Sequence, residues 1–372
     1  MSNHQSQIRK YPLLPFSQLV YDMTRWMPSI YRFPFTYRWA GGAKEKERIE
    51  QAIRAALMNH PVFQMKVDWR GRQYVSPLDD ILHGPYHDID LAVDGEDLVI
   101  SLTISRILGD GKSGEILLED IQQAYEGRSL DPDDYWGYLA YVEQQKQSNH
   151  YKDSKAWLAN EFANESIPVH PTPDKHLWTL LPPKAGLYQA DYTDLHNRIN
   201  QLAETEHLSM DGFFSLCVAL AIAEYCDTDA AALTWAYEGR ERPEEQRIFG
   251  SLHRDIPFQI ANHQSPITNH QSDLIRQARK QIRSGIAHSD YPYTLTKPYS
   301  NRWNDAINVL RVPDDMPLQK YAYALLDIEI HESSDSLALW YRYSATHYKA
   351  ESIERFAALV RKYAEWLLKD ES

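Results

Sequence analysis

Where an alternating apolar run ends, the chain reads Ser105-Arg106-Ile107-Leu108-Gly109-Asp110-Gly111, which sets an arginine and a carboxylate four residues apart beside two glycines. Arginine stays charged in proteins and cannot take up a proton, so Arg106 is no general base. Its planar guanidinium can donate fixed N–H bonds to a carboxylate, or to an oxyanion that develops in a transition state. The parity of the preceding strand puts Arg106 on the side of Leu98, Ile100, Leu102 and Ile104, where its charge needs a partner such as Asp110.

Other chemistries lack their residues. Gly111-Lys112-Ser113 has the ending of a phosphate-binding loop, but the glycine required five positions earlier is Arg106, so no nucleotide site is expected. No Gly-x-Ser-x-Gly elbow exposes a nucleophilic serine. Cys217 and Cys226 have neither a cysteine-hydrolase signature nor His or Cys partners at metal spacing, and they read as reduced core thiols. His83 and His87 are separated by Gly84 and Pro85, which break any helix that would aim both at one metal, so they read as loop histidines and no metal is expected.

The elements that must position the motif follow from periodicity. Leu98, Ile100, Leu102 and Ile104 alternate with Val99, Ser101 and Thr103, the period of a half-buried strand over Asp97 to Ile104. Ser113 is placed to cap a helix carrying Ile116, Leu117 and Ile121, so the motif spans strand, loop and helix start. Ile49, Ile53 and Leu57 make one apolar stripe on a helix over Lys44 to Asn59. Later helices are expected over Ser209 to Tyr225, Gln271 to His288 and Ala350 to Lys369, the last with Ile353, Phe356, Val360, Tyr363 and Leu367 on one face. Strands are expected over Ala306 to Val312, Ala324 to Ile330 and Leu337 to Tyr343. Five prolines between Ile167 and Gly186 interrupt the pattern and mark a linker between an N-terminal lobe, 1–175, and a C-terminal lobe, 176–372. Both are α/β.

The 372 residues are 43% apolar and 24% charged, with 24 Tyr and 10 Trp, a globular composition. The net charge of -13 repels phosphate backbones and anionic lipid, so neither nucleic acid nor membrane is expected as a partner. The polar start, Met1 to Lys10, lacks the apolar core of a secretory signal, and no run of about 18 apolar residues occurs. A cytoplasmic location is expected.

Taken in order, the motifs resemble the condensation domain of nonribosomal peptide synthetases, within the chloramphenicol acetyltransferase-like superfamily. Ser105 to Gly111 is similar to that family's His-His-x-x-x-Asp-Gly with both histidines replaced. Tyr11 to Gln18 resembles its opening motif, Asn59-His60-Pro61-Val62-Phe63 its Arg-His segment, and Asp134 to Tyr138 with Tyr151 to Trp157 its Tyr-rich motifs. Gly239-Arg240, Phe249 to Pro257 and His288-Ser289-Asp290-Tyr291-Pro292-Tyr293 follow in the family's order, the second with Leu252 for Phe and Arg254 for Asn. The family's final Arg-Asp-x-Ser motif is not recognisable.

The resemblance implies two similar lobes in a V-shaped pseudo-dimer with a central channel, where Ser105, Gly111 and Arg254 would line the substrate path. It implies that Asp110 is structural and pairs with Arg240 from the other lobe. Arg106 takes the place of the family's key histidine, and His253, on the strand that borders the channel in relatives, is a candidate relocated base. Transfer of an acyl group to an amine or alcohol would use no bound cofactor, with a phosphopantetheine-linked or CoA thioester as substrate. An acyl or peptidyl carrier protein, or another synthetase component, would be the partner of this free-standing protein of specialised metabolism. The alternative is an inactive relative that recruits a partner or binds a ligand.

Overall fold

The computed structural model describes residues 9–24, 32–164, 166–175, 183–261, 271–293, 307–311, 322 and 324–369. Two compact units form, Met1–Gln147 with Glu238–His253, and Ser148–Tyr237 with Arg254–Ser372.

In the first unit, an antiparallel sheet runs in the order Arg32–Trp39, Asp97–Ser105, His87–Asp94, His83–Gly84. Leu98, Ile100, Leu102 and Ile104 are buried, as the alternation predicts, while Val99, Ser101 and Thr103 are wholly or partly exposed. Helix Lys46–Asn59 buries Ile49, Ile53 and Leu57 completely and packs on helix Gly111–Tyr125. Each such side chain contributes about 1.5–3 kcal/mol. Lys44 falls in a 3-10 turn, Gly42–Glu45, that precedes the helix. A second antiparallel sheet holds Tyr11–Pro12, Arg72–Val75 and Met65–Val67 in that order.

Three local expectations change here. The alternation does not carry Arg106 onward, because the strand ends at Ser105 and the Leu108 N–H turns back to the Ser105 carbonyl at 2.9 Å. Asp110, not Ser113, is the N-cap of helix Gly111–Tyr125; the carboxylate accepts from the Ser113 N–H at 3.0 Å and Ser113 Oγ accepts from the Asp110 N–H at 3.2 Å. Both residues are good caps, but the carboxylate lies one turn earlier and takes the N3 donor. His83 and His87 lie on paired strands rather than in a loop. His83 Nδ1 meets Asp88, and buried His87 reaches the Ile81 carbonyl at 2.8 Å. Among the described residues no His, Cys, Asp and Glu cluster could hold a metal.

The second unit has a six-stranded mixed sheet ordered Arg254–Ala261, Ala230–Tyr237, Asn308–Arg311, Leu326–Glu332, Leu337–Ser344, Ala185–Asp191. The short third strand is parallel to both neighbours and every other pairing is antiparallel. Helix Met210–Tyr225 is buried almost all round, and helix Ala350–Leu367 packs Ile353, Phe356, Val360, Tyr363 and Leu367 into the same core. Ala306 and Val312, the ends of one expected strand, lie outside the described residues. Cys217 is buried in this core and Cys226 half-buried, both as free thiols. No single helix among the described residues is long and apolar enough to cross a membrane.

The division between units differs from the proline-based boundary. Residues 148–175 cluster with the second unit, because Leu158, Phe162, Ile167 and Val169 pack with Ala232, Tyr291 and Tyr293. The proline-rich segment also bonds there, from the Ala232 N–H to Pro168 O at 2.9 Å and the Ile307 N–H to Val169 O at 3.1 Å.

Candidate functional site

The motif loop of the first unit is built around Asp110. Oδ1 accepts from the Ser113 N–H and from Arg240 Nη2, each at 3.0 Å. Oδ2 accepts from Arg240 Nη1 at 3.0 Å, the Leu252 N–H at 2.9 Å and the His253 N–H at 3.1 Å. Arg240 Nη2 also donates to the Ile248 and Gly250 carbonyls, both at 3.1 Å. Burial of Asp110 opposes ionisation, but the adjoining Arg240 charge and its hydrogen bonds outweigh it and hold the carboxyl below its ordinary range. Both side chains are nearly inaccessible, so the pair stands in low dielectric, and the buried Arg240 Nε has no hydrogen-bond partner among the described residues.

Arg240 lies in the same compact unit as Asp110, on the segment Glu238–His253. Asp110 is therefore taken up by Arg240, Ser113 and two backbone N–H groups rather than by Arg106. Gly109 makes the close fit possible: a Cβ there would fall 2.8 Å from both the Phe249 ring and Ser113 Cβ. A Cβ on Gly111 would meet nothing within 4 Å.

Arg106 turns toward a ring. Its guanidinium carbon lies 5.7 Å from the centroid of Phe16, on helix Pro15–Thr24. The His253 imidazole meets the same ring edge-on with centroids 4.1 Å apart, and its Nδ1 is 3.4 Å from Ser251 Oγ. Phe16 thus contacts a guanidinium and an imidazole that are distant in sequence. Ser105, buried at the strand end, receives the Ile107 N–H on its Oγ at 3.3 Å. Of the expected site residues, Ser105, Arg106, Asp110, Gly111, Arg240 and His253 belong to the first unit. Arg254 belongs to the second, where it donates to Ser289 Oγ at 2.6 Å.

Two polar clusters were not anticipated as such. Completely buried His60 lies between two carboxylates, with Nδ1 2.8 Å from Asp133 and Nε2 3.1 Å from Asp120. Arg247 pairs with Asp120 and Glu119, and the Phe249 N–H reaches Asp133 at 3.0 Å, tying the Glu238–His253 segment into the first unit. In the second unit, Ser154 Oγ donates to Asp290 at 2.5 Å and lies 3.2 Å from His288 Nδ1. The residue types suggest a hydrolase triad, but the hydroxyl is bound by the carboxylate and fully buried, so it is a structural anchor. Only residue types at long separations signal either cluster.

The fold is a mixed α/β architecture shared with solved condensation domains. Residues 93–371 match the family described as Condensation domain, and the chain belongs to that family. Similar solved structures include the starter condensation domain of rhizomide synthetase in complex with C8-CoA, with TM-score 0.77, 15% identity and 98% and 96% of the two chains covered. The epimerization domain from the third module of tyrocidine synthetase B aligns with TM-score 0.77, 15% identity and 99% of each chain. Surfactin synthase subunit 1 of Bacillus subtilis is 23% identical over 197 residues, 50% of this chain and 5% of that protein. Tyrocidine synthase 3 of Brevibacillus parabrevis is 22% identical over 228 residues, 60% of this chain and 3% of that protein. The chain therefore spans a small fraction of these curated relatives.

Proposed function

We propose that the protein transfers an acyl group from a thioester to an amine or alcohol without a covalent enzyme intermediate. The observation that carries this reading is the placing of Arg106 and His253 against one ring, Phe16, beside a carboxylate whose acceptor positions are filled. An attacking amine adds to the thioester carbonyl, and the Arg106 N–H groups hold the oxyanion that forms. The His253 imidazole, whose Nδ1 lies 3.4 Å from Ser251 Oγ, accepts the amine proton. Collapse of the tetrahedral species breaks the C–S bond, and the proton passes to the leaving thiolate. Asp110 and Arg240 fix the loop and take no part in proton transfer.

The donor is a CoA thioester or a phosphopantetheine-linked acyl group on a carrier protein, and a cytoplasmic location suits both. Membership of the condensation-domain family supports this donor class, as does the similarity to a starter condensation domain solved with C8-CoA. One feature favours a second reading, a non-catalytic protein that recruits a partner: position 106 holds a side chain unable to accept a proton.

Thiol release from acyl-CoA and acyl-pantetheine thioesters with amine and alcohol acceptors separates the two. Turnover that both Arg106→Ala and His253→Ala abolish supports transfer by this pair. Silence of the native protein together with activity in Arg106→His supports the non-catalytic reading.

A further inference from the structure

The three-stranded sheet of the first unit carries a face that acyl transfer does not use. The register sets Lys66 opposite Tyr74, and Lys10 stands on the other side with Nζ 4.7 Å from the Tyr74 ring centroid. Arg72 shares the face of Tyr74, since alternate residues of a strand point the same way. The turn between the strands adds Trp69, 80% exposed, with the Arg70 guanidinium 4.6 Å from its ring. Among the described residues Lys10 pairs with Asp68 at 3.0 Å, whereas Lys66, Arg70 and Arg72 have no ion-pair partner.

Neighbouring like charges on a sheet repel. Their concentration around two aromatic rings on a chain of net charge -13 sets this face apart electrostatically from the rest of the molecule.

We infer that this face docks a protein partner through an acidic surface with an apolar centre that covers Trp69. Tryptophan and arginine are the side chains that anchor protein interfaces, and unpaired cations at the rim select an acidic partner and speed its approach. Nucleic acid fits less well, because four cations on a strongly acidic chain give weak attraction to a phosphate backbone.

The test titrates the whole chain into a fluorescein-labelled amphipathic peptide, glutamates on one helical face and leucines at i, i+4 on the other, read by anisotropy. Phosphatidylserine vesicles and a duplex DNA oligonucleotide serve as competitors. Binding should weaken with salt and fall about tenfold or more in Trp69→Ala and in Lys66→Glu/Arg70→Glu. The side chains replaced make no hydrogen bond among the described residues, and thermal melting confirms that the variants fold. Absence of binding at low ionic strength, affinity unchanged in both variants, or displacement by vesicles or DNA would each overturn the inference. Thiol release from small CoA thioesters should be the same in these variants as in the native chain, which keeps this test independent of the acyl-transfer reading.

Discussion

Asp110 and Arg240, 130 residues apart in sequence, meet in a bidentate ion pair with both N···O distances at 3.0 Å. The pair closes the segment Glu238–His253 onto the motif loop of the first unit and delivers the Leu252 and His253 N–H groups to the same carboxylate. Through this pair, the position of His253 beside Phe16 depends on the Asp110 carboxylate.

Removing one partner leaves a buried charge unmatched. Arg240→Ala should destabilise the protein by about 3–5 kcal/mol, and the double change with Asp110→Asn should cost less than the sum of the single changes. Urea unfolding of the four species measures this coupling; strict additivity would mean that the two side chains do not act as a pair.

His60 should make stability depend on pH. Burial lowers its proton affinity, but hydrogen bonds and charge from Asp120 and Asp133 outweigh burial and raise its pKa. A raised folded pKa contributes stability that is fully present below the unfolded value of about 6.5 and is lost as pH rises through the folded value. His60→Gln should therefore flatten the decline in unfolding free energy above about pH 6.5. Asp110 acts in the opposite sense: its lowered pKa contributes stability above the unfolded carboxylate value of about 3.9 that disappears on acidification. A decline in His60→Gln as steep as in the native protein would exclude His60 as its source.

Gly109 should tolerate no side chain. An added Cβ lies 2.8 Å from the Phe249 ring and from Ser113 Cβ, and Ser113 belongs to the network that holds Asp110. Gly109→Ala should cost about 1–3 kcal/mol through overpacking. Gly111→Ala, with open space around its Cβ, should cost less, and equal losses in thermal melting would disprove the steric account.

The strand Asp97–Ser105 and the helices Met210–Tyr225 and Ala350–Leu367 were legible because burial of one face, or of nearly the whole element, imposes a period or an apolar run on the sequence. The end of that strand was not, since a turn set by one Leu108-to-Ser105 hydrogen bond leaves the apolar pattern unbroken through Ile107 and Leu108. The helix cap was ambiguous for a chemical reason: Asp110 and Ser113 both accept from backbone N–H groups, and they do so reciprocally. At the site, motif order pointed to Asp110 and Arg240, but Phe16 carries no signal of its contact with Arg106 and His253. His60 meets Asp133 across 73 residues, a separation at which polar partners leave no periodic trace.

Phe16 offers the sharpest test of the proposed chemistry. If Arg106 stabilises the oxyanion, Arg106→Ala should lower kcat by about 10²- to 10³-fold with little change in KM, because the interaction strengthens only in the transition state. If His253 accepts the proton, His253→Ala should cost about 10²- to 10⁴-fold and remove the acidic limb of the pH–rate profile, while Arg106→Ala keeps that limb. Phe16→Leu preserves apolar volume but loses the ring that both groups contact, so it should reduce kcat while leaving urea stability within about 1.5 kcal/mol. The two single variants should combine less than additively with Phe16→Leu, since one ring orients both groups. Full activity in Phe16→Leu would separate Arg106 from His253 and leave the convergence of these side chains without a catalytic role.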